Sequence, residues 1–453
     1  MTAALIALLA LASFGQPDGA STTALVGATL IDGAGAQPLP DSVVLIRNHR
    51  IAAVGARAST PIPEGARIVD LRGKWALPGL IDMHVHLDEV LTPAAFPLFG
   101  VTSVRDVGSR LVTIQKLRAI AARGGAIPRI YWMGRNIDEG KPSWWGAVAV
   151  KGPKEVPALL DDMARHGVDG VKLYALAGPQ VARAVIDDAH RRGWPVTAHL
   201  DRTRASDAAR MGIDNLEHVF TLFNELRKAP GKSIQGYRRS FAGVDAVDLN
   251  GKAARNLIDA LRRKPTALTP TLTVSTMPVD GEAGARRDYG FEVPAGWKKY
   301  WKSSYWSFIS TAGWSPAEFA KARAARAKFS ALVRILDREG VPIIAGTDTP
   351  APWVLPGAGL IHELELLVES GLTPMNAIQA ATGRAAQVLH RESDLGTIKP
   401  GRYADLLILD ADPLADIHNL RKVSRVYMSG FEVDRATARR EFDAAREPPP
   451  GKP

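Results

Sequence analysis

Two histidines one residue apart, His84 and His86 in Asp82-Met83-His84-Val85-His86, close an apolar run that begins at Trp75. In a β-strand alternate side chains share a face, so both imidazoles project one way and Val85 the other. Two imidazoles on one face can share a metal ion, although an isolated pair is as readily structural. Further candidates recur downstream. Lys172 lies in Gly170-Val171-Lys172-Leu173-Tyr174, and His199 ends Val196-Thr197-Ala198-His199. His218 ends Asn215-Leu216-Glu217-His218, and Asp348 ends Ala345-Gly346-Thr347-Asp348. The chain contains no cysteine, which excludes disulfides and thiolate metal sites.

These groups act together only if the chain brings them to one place. Short β-like runs at 24–30, 42–46 and 51–54, separated by Gly, Pro and Asn-His turn signals, predict a small sheet. Runs at 404–410 and 423–427 have the same character, and two half-sheets at opposite chain ends can complete one domain. Between them, apolar runs at 77–87, 102–107, 129–133, 170–176, 195–200, 215–220, 267–273 and 342–347 alternate with helix-period segments such as 157–166 and 180–192. The expectation is an α/β protein: a (β/α)8 barrel over 76–395, with a composite β-sandwich domain from 21–75 and 396–440. Catalytic groups in such barrels sit at the C-terminal ends of the strands. Four of the ten histidines, Lys172 and Asp348 fall at such ends.

At this level of detail the chain resembles the metal-dependent amidohydrolase superfamily. The likeness runs from about Ala24 to Val433 and rests on several motifs: Pro78-Gly79-Leu80-Ile81-Asp82-Met83-His84-Val85-His86, Gly100-Val101-Thr102-Ser103-Val104-Arg105-Asp106, Thr197-Ala198-His199, Glu217-His218, Ala345-Gly346-Thr347-Asp348 and Gly401-Arg402-Tyr403-Ala404-Asp405-Leu406. The resemblance implies that His84, His86 and Asp348 bind one metal and that His199 and His218 bind a second. It also implies that Lys172 bridges both as a carbamate. Members with a Val-Lys-Leu-Tyr type of lysine motif include Xaa-Pro dipeptidases, metal-dependent carboxypeptidases and relatives that cleave N-acyl amino acids.

The chemistry is consistent with that set. A lysine ammonium has no lone pair, but a buried lysine tends to lose its proton, and the neutral amine can add carbon dioxide to become a bridging carboxylate. Imidazole and carboxylate oxygens suit zinc and similar divalent ions, and two such ions roughly 3.5–4 Å apart can acidify a water held between them. Asp348 is then placed to take the nucleophile's proton and pass it to the leaving amine. Tyr174 is a candidate to help polarise the scissile carbonyl. A dipeptide or N-acyl amino acid is the expected substrate. A cyclic amidase or deaminase of the imidazolonepropionase type is the main rival, and it commonly uses one metal without a bridging lysine. Lactone or phosphotriester hydrolysis uses the same paired ions, and a metal-free scaffold is the non-enzymatic alternative.

Structural roles compete with each functional one. Lys172 could pair with Asp169, and His199 or His218 could be satisfied core histidines. His49, His166, His190, His390 and His418 fall in turns, helix faces or the β-sheet domain and read as surface residues. His362 follows the eighth strand and reads as a helix-capping or supporting residue.

A length of 453 residues and a hydrophobic share of 46% suit one large domain plus a smaller one. The N-terminal Ala/Leu/Ile run, followed by Gln16-Pro17-Asp18-Gly19, resembles a secretory signal core, although no Lys or Arg precedes it. Cleavage near residue 20 implies a periplasmic or secreted protein, and otherwise a cytoplasmic one. No stretch is long and apolar enough for a transmembrane helix. A basic, aromatic insert occupies about 222–334. Its segment 225–334 carries 20 Lys plus Arg against 9 Asp plus Glu, which accounts for the formal charge of +10. Trp297, Tyr300, Trp301, Tyr305, Trp306 and Trp314 read as a lid that draws in a carboxylate-bearing substrate with an apolar part, or as a solvated helix face packed on the barrel. Trp144 and Trp145 form a candidate second wall. No nucleic-acid motif accompanies the basic charge, so a small-molecule substrate and a homo-oligomeric enzyme are expected.

Overall fold

A computed structural model of the chain describes residues 22–90, 92–123, 125–144, 146–228, 238–275, 279–280, 284 and 289–444. The proposed signal segment and Trp145 lie outside the described residues.

The N-terminal runs form a four-stranded sheet in the order Arg50–Ala56, Ser42–Arg47, Thr23–Val26, Arg67–Asp70. Its hairpin turns at Asn48 and His49, both with positive φ, the conformation that matches the right-handed twist of paired strands. The predicted run 24–30 is in fact two strands. Thr23–Val26 stays in this sheet, whereas Thr29–Leu30 crosses to a five-stranded sheet completed by Trp75–Pro78, Leu406–Leu409, Val423–Met428 and Phe431–Glu432. Both chain ends therefore build one sheet. Leu25, Leu30, Val44, Ile46, Ala76, Leu406, Ile408 and Tyr427 share a single apolar core between these elements.

The predicted strand 77–87 also divides. Trp75–Pro78 pairs antiparallel with Leu406–Leu409, and after Gly79 the chain continues as Leu80–Val85, parallel to Val101–Asp106. Gly79 is required by close approach: a Cβ there would lie 2.2 Å from Thr102 Oγ1 and 2.6 Å from its methyl.

The remaining strands are parallel and alternate with helices, which defines an α/β fold. One sheet runs Leu80–Val85, Val101–Asp106, Arg129–Trp132. The other runs Val148–Val150, Ile137–Glu139, Val171–Leu173, Val196–Ala198, Asn215–Glu217, Ala267–Thr269. The pair Ile137–Glu139 and Val148–Val150 gives no forewarning in the sequence pattern. The predicted eighth strand, 342–347, makes only isolated parallel bridges, Ile343 to Leu268 and Thr349 to Val85. It still spans from one sheet to the other, donating from Ile344 N to Leu268 O (3.0 Å) and accepting from Met83 N at Ala345 O (3.0 Å).

Helix faces follow the sequence. In Val156–Arg165, Val156, Leu160 and Met163 are buried; in Pro179–Arg191, Val181, Val185, Ile186 and Ala189 are. The insert's long helix, Pro316–Arg338, starts with a capping box between Ser315 and Glu318 and buries Ala322, Ala325, Phe329, Leu332, Val333 and Leu336. Lys321, Arg323, Arg334 and Arg338 stay exposed, whereas Glu318, Arg326, Lys328 and Asp337 are half-buried. Trp297, Trp301 and Trp314 are buried in the main core, so much of the insert's aromatic content is packing rather than lid. Trp301 Nε1 donates to Pro350 O (2.9 Å) and Tyr289 Oη to Trp353 O (2.8 Å), which ties the insert to the segment after Asp348.

Candidate metal centre

The strand ends converge as expected. His84, His86, Lys172, Tyr174, His199, His218 and Asp348 all line one cavity of about 380 Å³. Each is set there by local backbone geometry. His86 lies just past the strand Leu80–Val85 and stays extended (φ −123°, ψ 94°), which keeps it in alternation with His84. Its N–H donates to Thr349 O (2.9 Å), while Asp348 N donates to His84 O (2.8 Å), so the Asp348 segment is laced to the histidine pair. His199 N donates to Leu173 O (3.1 Å), one residue beyond Lys172. The strand predicted over 215–220 stops at Glu217, because His218 takes φ +63° and starts the helix Val219–Leu226. Asp348 has φ +61°. Such non-glycine conformations cost about 1–3 kcal/mol each and cluster where surrounding structure over-determines them. Here His218 N donates to Thr269 O (2.8 Å), and Ala351 N to Asp348 O (2.9 Å). Gly346 lets the chain pass this closely: a Cβ there would lie 2.9 Å from both the Cβ and the N of His84.

The electrostatics keep the donors ready. Burial would raise the Glu217 carboxyl, but Arg105, His84 and Lys172 hold it well below the usual range. Glu217 therefore accepts: from Arg105 Nη2 (2.6 Å), from Asn215 Nδ2 (2.9 Å), from the Thr197 hydroxyl and, through Oε2, from His84 Nδ1 (2.7 Å). With Nδ1 turned to Glu217, Nε2 is the His84 nitrogen directed to the Asp348 side of the cavity. That Nε2 is buried without a hydrogen-bond partner, 3.3 Å from Asp348 Oδ1, and His86 Nε2 is 3.1 Å from the same oxygen. Burial holds the His199 and His218 imidazoles neutral, with His218 Nδ1 hydrogen-bonded to Thr271 Oγ1 (2.8 Å). Burial likewise lowers Lys172 to about 8, against the pull of Glu217 and Asp348. Asp348 is pushed up by burial but held well below the usual carboxyl range chiefly by His84 and His86, whose ring nitrogens lie beside its Oδ1. Burial, with Asp348, Asp138 and Asp201 nearby, keeps the Tyr174 phenol protonated.

Donor atoms of His84, His218 and Asp348 lie within 4.8 Å of one another. The neutral His218 imidazole, the ionised Asp348 carboxylate and the orphaned His84 Nε2 together fit a divalent cation. Asp169, the alternative partner for Lys172, instead pairs with Arg118 (2.9 Å) and Arg391 (3.5 Å). His49, His166, His190, His390 and His418 are exposed. His362 is buried mid-helix in Ala358–Glu369, with Nδ1 3.3 Å from Glu365 Oε2, beside a separate cavity.

Three supporting residues escape sequence reasoning. Arg105 and Glu217 stand inside quoted motifs without a role, although a charged residue in an otherwise apolar strand is a usable signal. Asp82 accepts from Thr347 N (3.1 Å), Thr347 Oγ1 (2.8 Å) and His84 N (3.2 Å), joining the first histidine to the Asp348 segment. The outer wall is formed by Asn136, Trp144, Asp201, Phe220, Asn224, Arg227, Arg239, Trp306 and Ile309. Of the insert's aromatics, Trp306 reaches the cavity.

The family model described as "Amidohydrolase family" matches residues 75–433. The chain belongs to that family and is a hydrolase acting on carbon–nitrogen bonds. It is 27% identical over 399 residues to an uncharacterized protein of Mycobacterium tuberculosis, covering 83% of this chain and 88% of the relative. It is 24% identical to the imidazolonepropionase of Methylobacterium nodulans, covering 88% and 93%. Among solved structures, a Xaa-Pro dipeptidase with bound methionine in the active site superimposes with a TM-score of 0.66 at 24% identity, covering 91% and 99%. Among the described residues no helix is long and apolar enough to cross a membrane.

Proposed function

We propose that this chain hydrolyses the amide bond of a dipeptide or N-acyl amino acid at a centre of two divalent ions, zinc by the nature of the donors. His84, His86 and Asp348 would hold one ion and His199 and His218 the other. Lys172, carboxylated by carbon dioxide, would serve both. The observation that carries this reading is a fully buried lysine, lowered to about 8, lining one cavity with four histidines and an ionised aspartate. A lysine destined to remain an ammonium would call for a carboxylate at ion-pair distance, whereas a neutral amine suits carboxylation. The scaffold that fits these positions is a (β/α)8 barrel over 76–395, closed by the 342–349 segment and flanked by a composite β-sandwich from 21–75 and 396–440.

When bound, such ions supply an acidified water at neutral pH and polarise the scissile carbonyl. The chain's own residues do the rest. Asp348, ionised and near both histidine nitrogens, takes the nucleophile's proton and delivers it to the leaving nitrogen. Tyr174, kept protonated, donates its O–H towards the carbonyl oxygen as negative charge builds there. Trp144, Phe220, Trp306 and Ile309 wall the cavity and limit water.

A second reading, a cyclic amidase or deaminase, is favoured by the likeness to an imidazolonepropionase. Lys172 weighs against it, since a single-ion site needs no bridge. The test is a screen of linear dipeptides, N-acyl amino acids and imidazolone-type rings with the zinc-loaded chain. Release of amine from a linear amide is expected, abolished by a chelator, restored by zinc and reduced by about 10²–10⁴-fold in Asp348→Asn. Turnover of the ring alone would favour the second reading.

A further inference from the structure

Two guanidinium groups in the cavity wall make no ion pair among the described residues. Arg227 and Arg239 both line the cavity that holds Lys172 and Asp348. Among the described residues neither has a carboxylate within ion-pair distance, whereas the neighbouring Arg238 is paired with Glu318 at 2.7 Å. They are close enough to oppose each other: after burial, the Arg239 charge is the largest influence lowering Arg227. Asp201, also in the wall, accepts from Asn224 Nδ2 (2.7 Å) and partly offsets the lowering of Arg227, but makes no ion pair with it.

Arg227 is also held in place. Nη1 donates to Ser240 O (3.2 Å) and Ala242 O (2.6 Å), and Nη2 donates to Asn224 Oδ1 (3.0 Å). A guanidinium carries five N–H groups, so these three bonds leave donors over. One of them, Nε, is fully buried and lacks a hydrogen-bond partner. A desolvated, unsatisfied donor costs about 1–3 kcal/mol, more on a charged group, and two unpaired like charges add to that cost. Anionic oxygen on a ligand in the cavity would offset the opposed charges of Arg227 and Arg239, and a carboxylate matches the spacing of adjacent guanidinium N–H groups. Trp306, Ile309, Val274 and Phe220 add apolar surface to the wall, beside the polar Asn136, Asp201, Asn224 and Ser240. At about 380 Å³ the cavity is at the small end for ligand sites, so one small molecule can meet both the donor cluster and the arginines.

We propose that Arg227 and Arg239 form a carboxylate subsite, so that the enzyme selects amides whose amino acid portion ends in a free carboxylate beside an apolar side chain. This rests on the amide-hydrolase reading for the reaction but not for the binding. The test uses the zinc-loaded full-length chain with a panel of N-acetyl amino acids bearing apolar side chains and the matching carboxamides. Binding is followed by tryptophan fluorescence and amine release is measured separately. Free acids are expected to bind at least about tenfold more tightly than carboxamides. That preference should fall to within about twofold in Arg227→Gln and Arg239→Gln, and Arg239→Lys should retain part of it. Arg239 is exposed, so its variants keep the test valid if Arg227→Gln fails to fold. Equal binding of acids and carboxamides, a preference unchanged in the Arg239 variants, or no binding of any panel member up to about 10 mM would overturn the subsite. Carboxylate-selective binding without amine release would leave the subsite standing and count against amide hydrolysis; hydrolysis without that selectivity would do the reverse.

Discussion

At the scale of residues, the centre depends on a buried chain from Arg105 through Glu217 to His84. Glu217 fixes which His84 nitrogen faces the cavity, and Arg105 keeps Glu217 ionised. Glu217→Gln is therefore expected to weaken zinc binding by about 10–100-fold, read by titration against a competing chelator. Stability should also fall, because Arg105 would lose its ionised partner in a dry site, and Glu217→Ala should cost about 3–5 kcal/mol in denaturant unfolding. Unchanged zinc affinity in Glu217→Gln would remove the positioning role. The cavity residues His84, His86, Lys172, His199, His218 and Asp348 were legible in sequence because each ends or occupies an apolar run. Arg105 and Glu217 were not: alternation along a strand tells which face a side chain takes, not which side chain it meets across the sheet.

At the scale of elements, the turn after Ala267–Thr269 is pinned from a helix. Glu363, buried in Ala358–Glu369, accepts from Leu272 N (2.9 Å) and Thr273 N (2.8 Å), and the same turn carries Thr271 to His218 Nδ1. Burial raises Glu363 to about 7. A carboxyl raised on folding binds its proton more tightly in the native state. Its contribution is thus full below the unfolded value of about 4.3 and is lost as pH rises through 7. Glu363→Gln is expected to flatten the fall in stability between about pH 5 and 7, measured as denaturant midpoints. An unaltered pH slope would contradict this. Sequence patterning located most elements but overextended them. The run 77–87 spans two sheets because the apolar pattern passes through Gly79 unbroken, and only the contact with Thr102 shows the break. The stretch 215–220 lost its end to a helix, because His218 takes a left-handed conformation that hydrophobicity does not encode.

At the scale of the whole molecule, the two chain ends depend on each other. Leu406, Leu407, Ile408, Leu409, Val426 and Tyr427 are buried, and several share a core with Leu25, Val44 and Ile46. Each large side chain contributes about 1.5–3 kcal/mol, so together they are comparable with the 5–15 kcal/mol that holds a typical domain folded. A chain ending at residue 404 is expected to lose cooperative unfolding and soluble expression, read by near-ultraviolet circular dichroism and solubility. A soluble, cooperatively unfolding truncation would contradict the shared core. The pairing of distant half-sheets was legible from their matching turn-rich runs. The insert was only partly so: basic and aromatic composition suited either a lid or a packed helix, and burial divides it between the two.

The most direct test of the central claim is the metal content of the full-length chain prepared with bicarbonate and zinc, compared with Lys172→Ala. A bridging lysine predicts about two zinc ions per chain in the wild type, and one or fewer with loss of activity in the variant. Two ions and full activity in Lys172→Ala would contradict it.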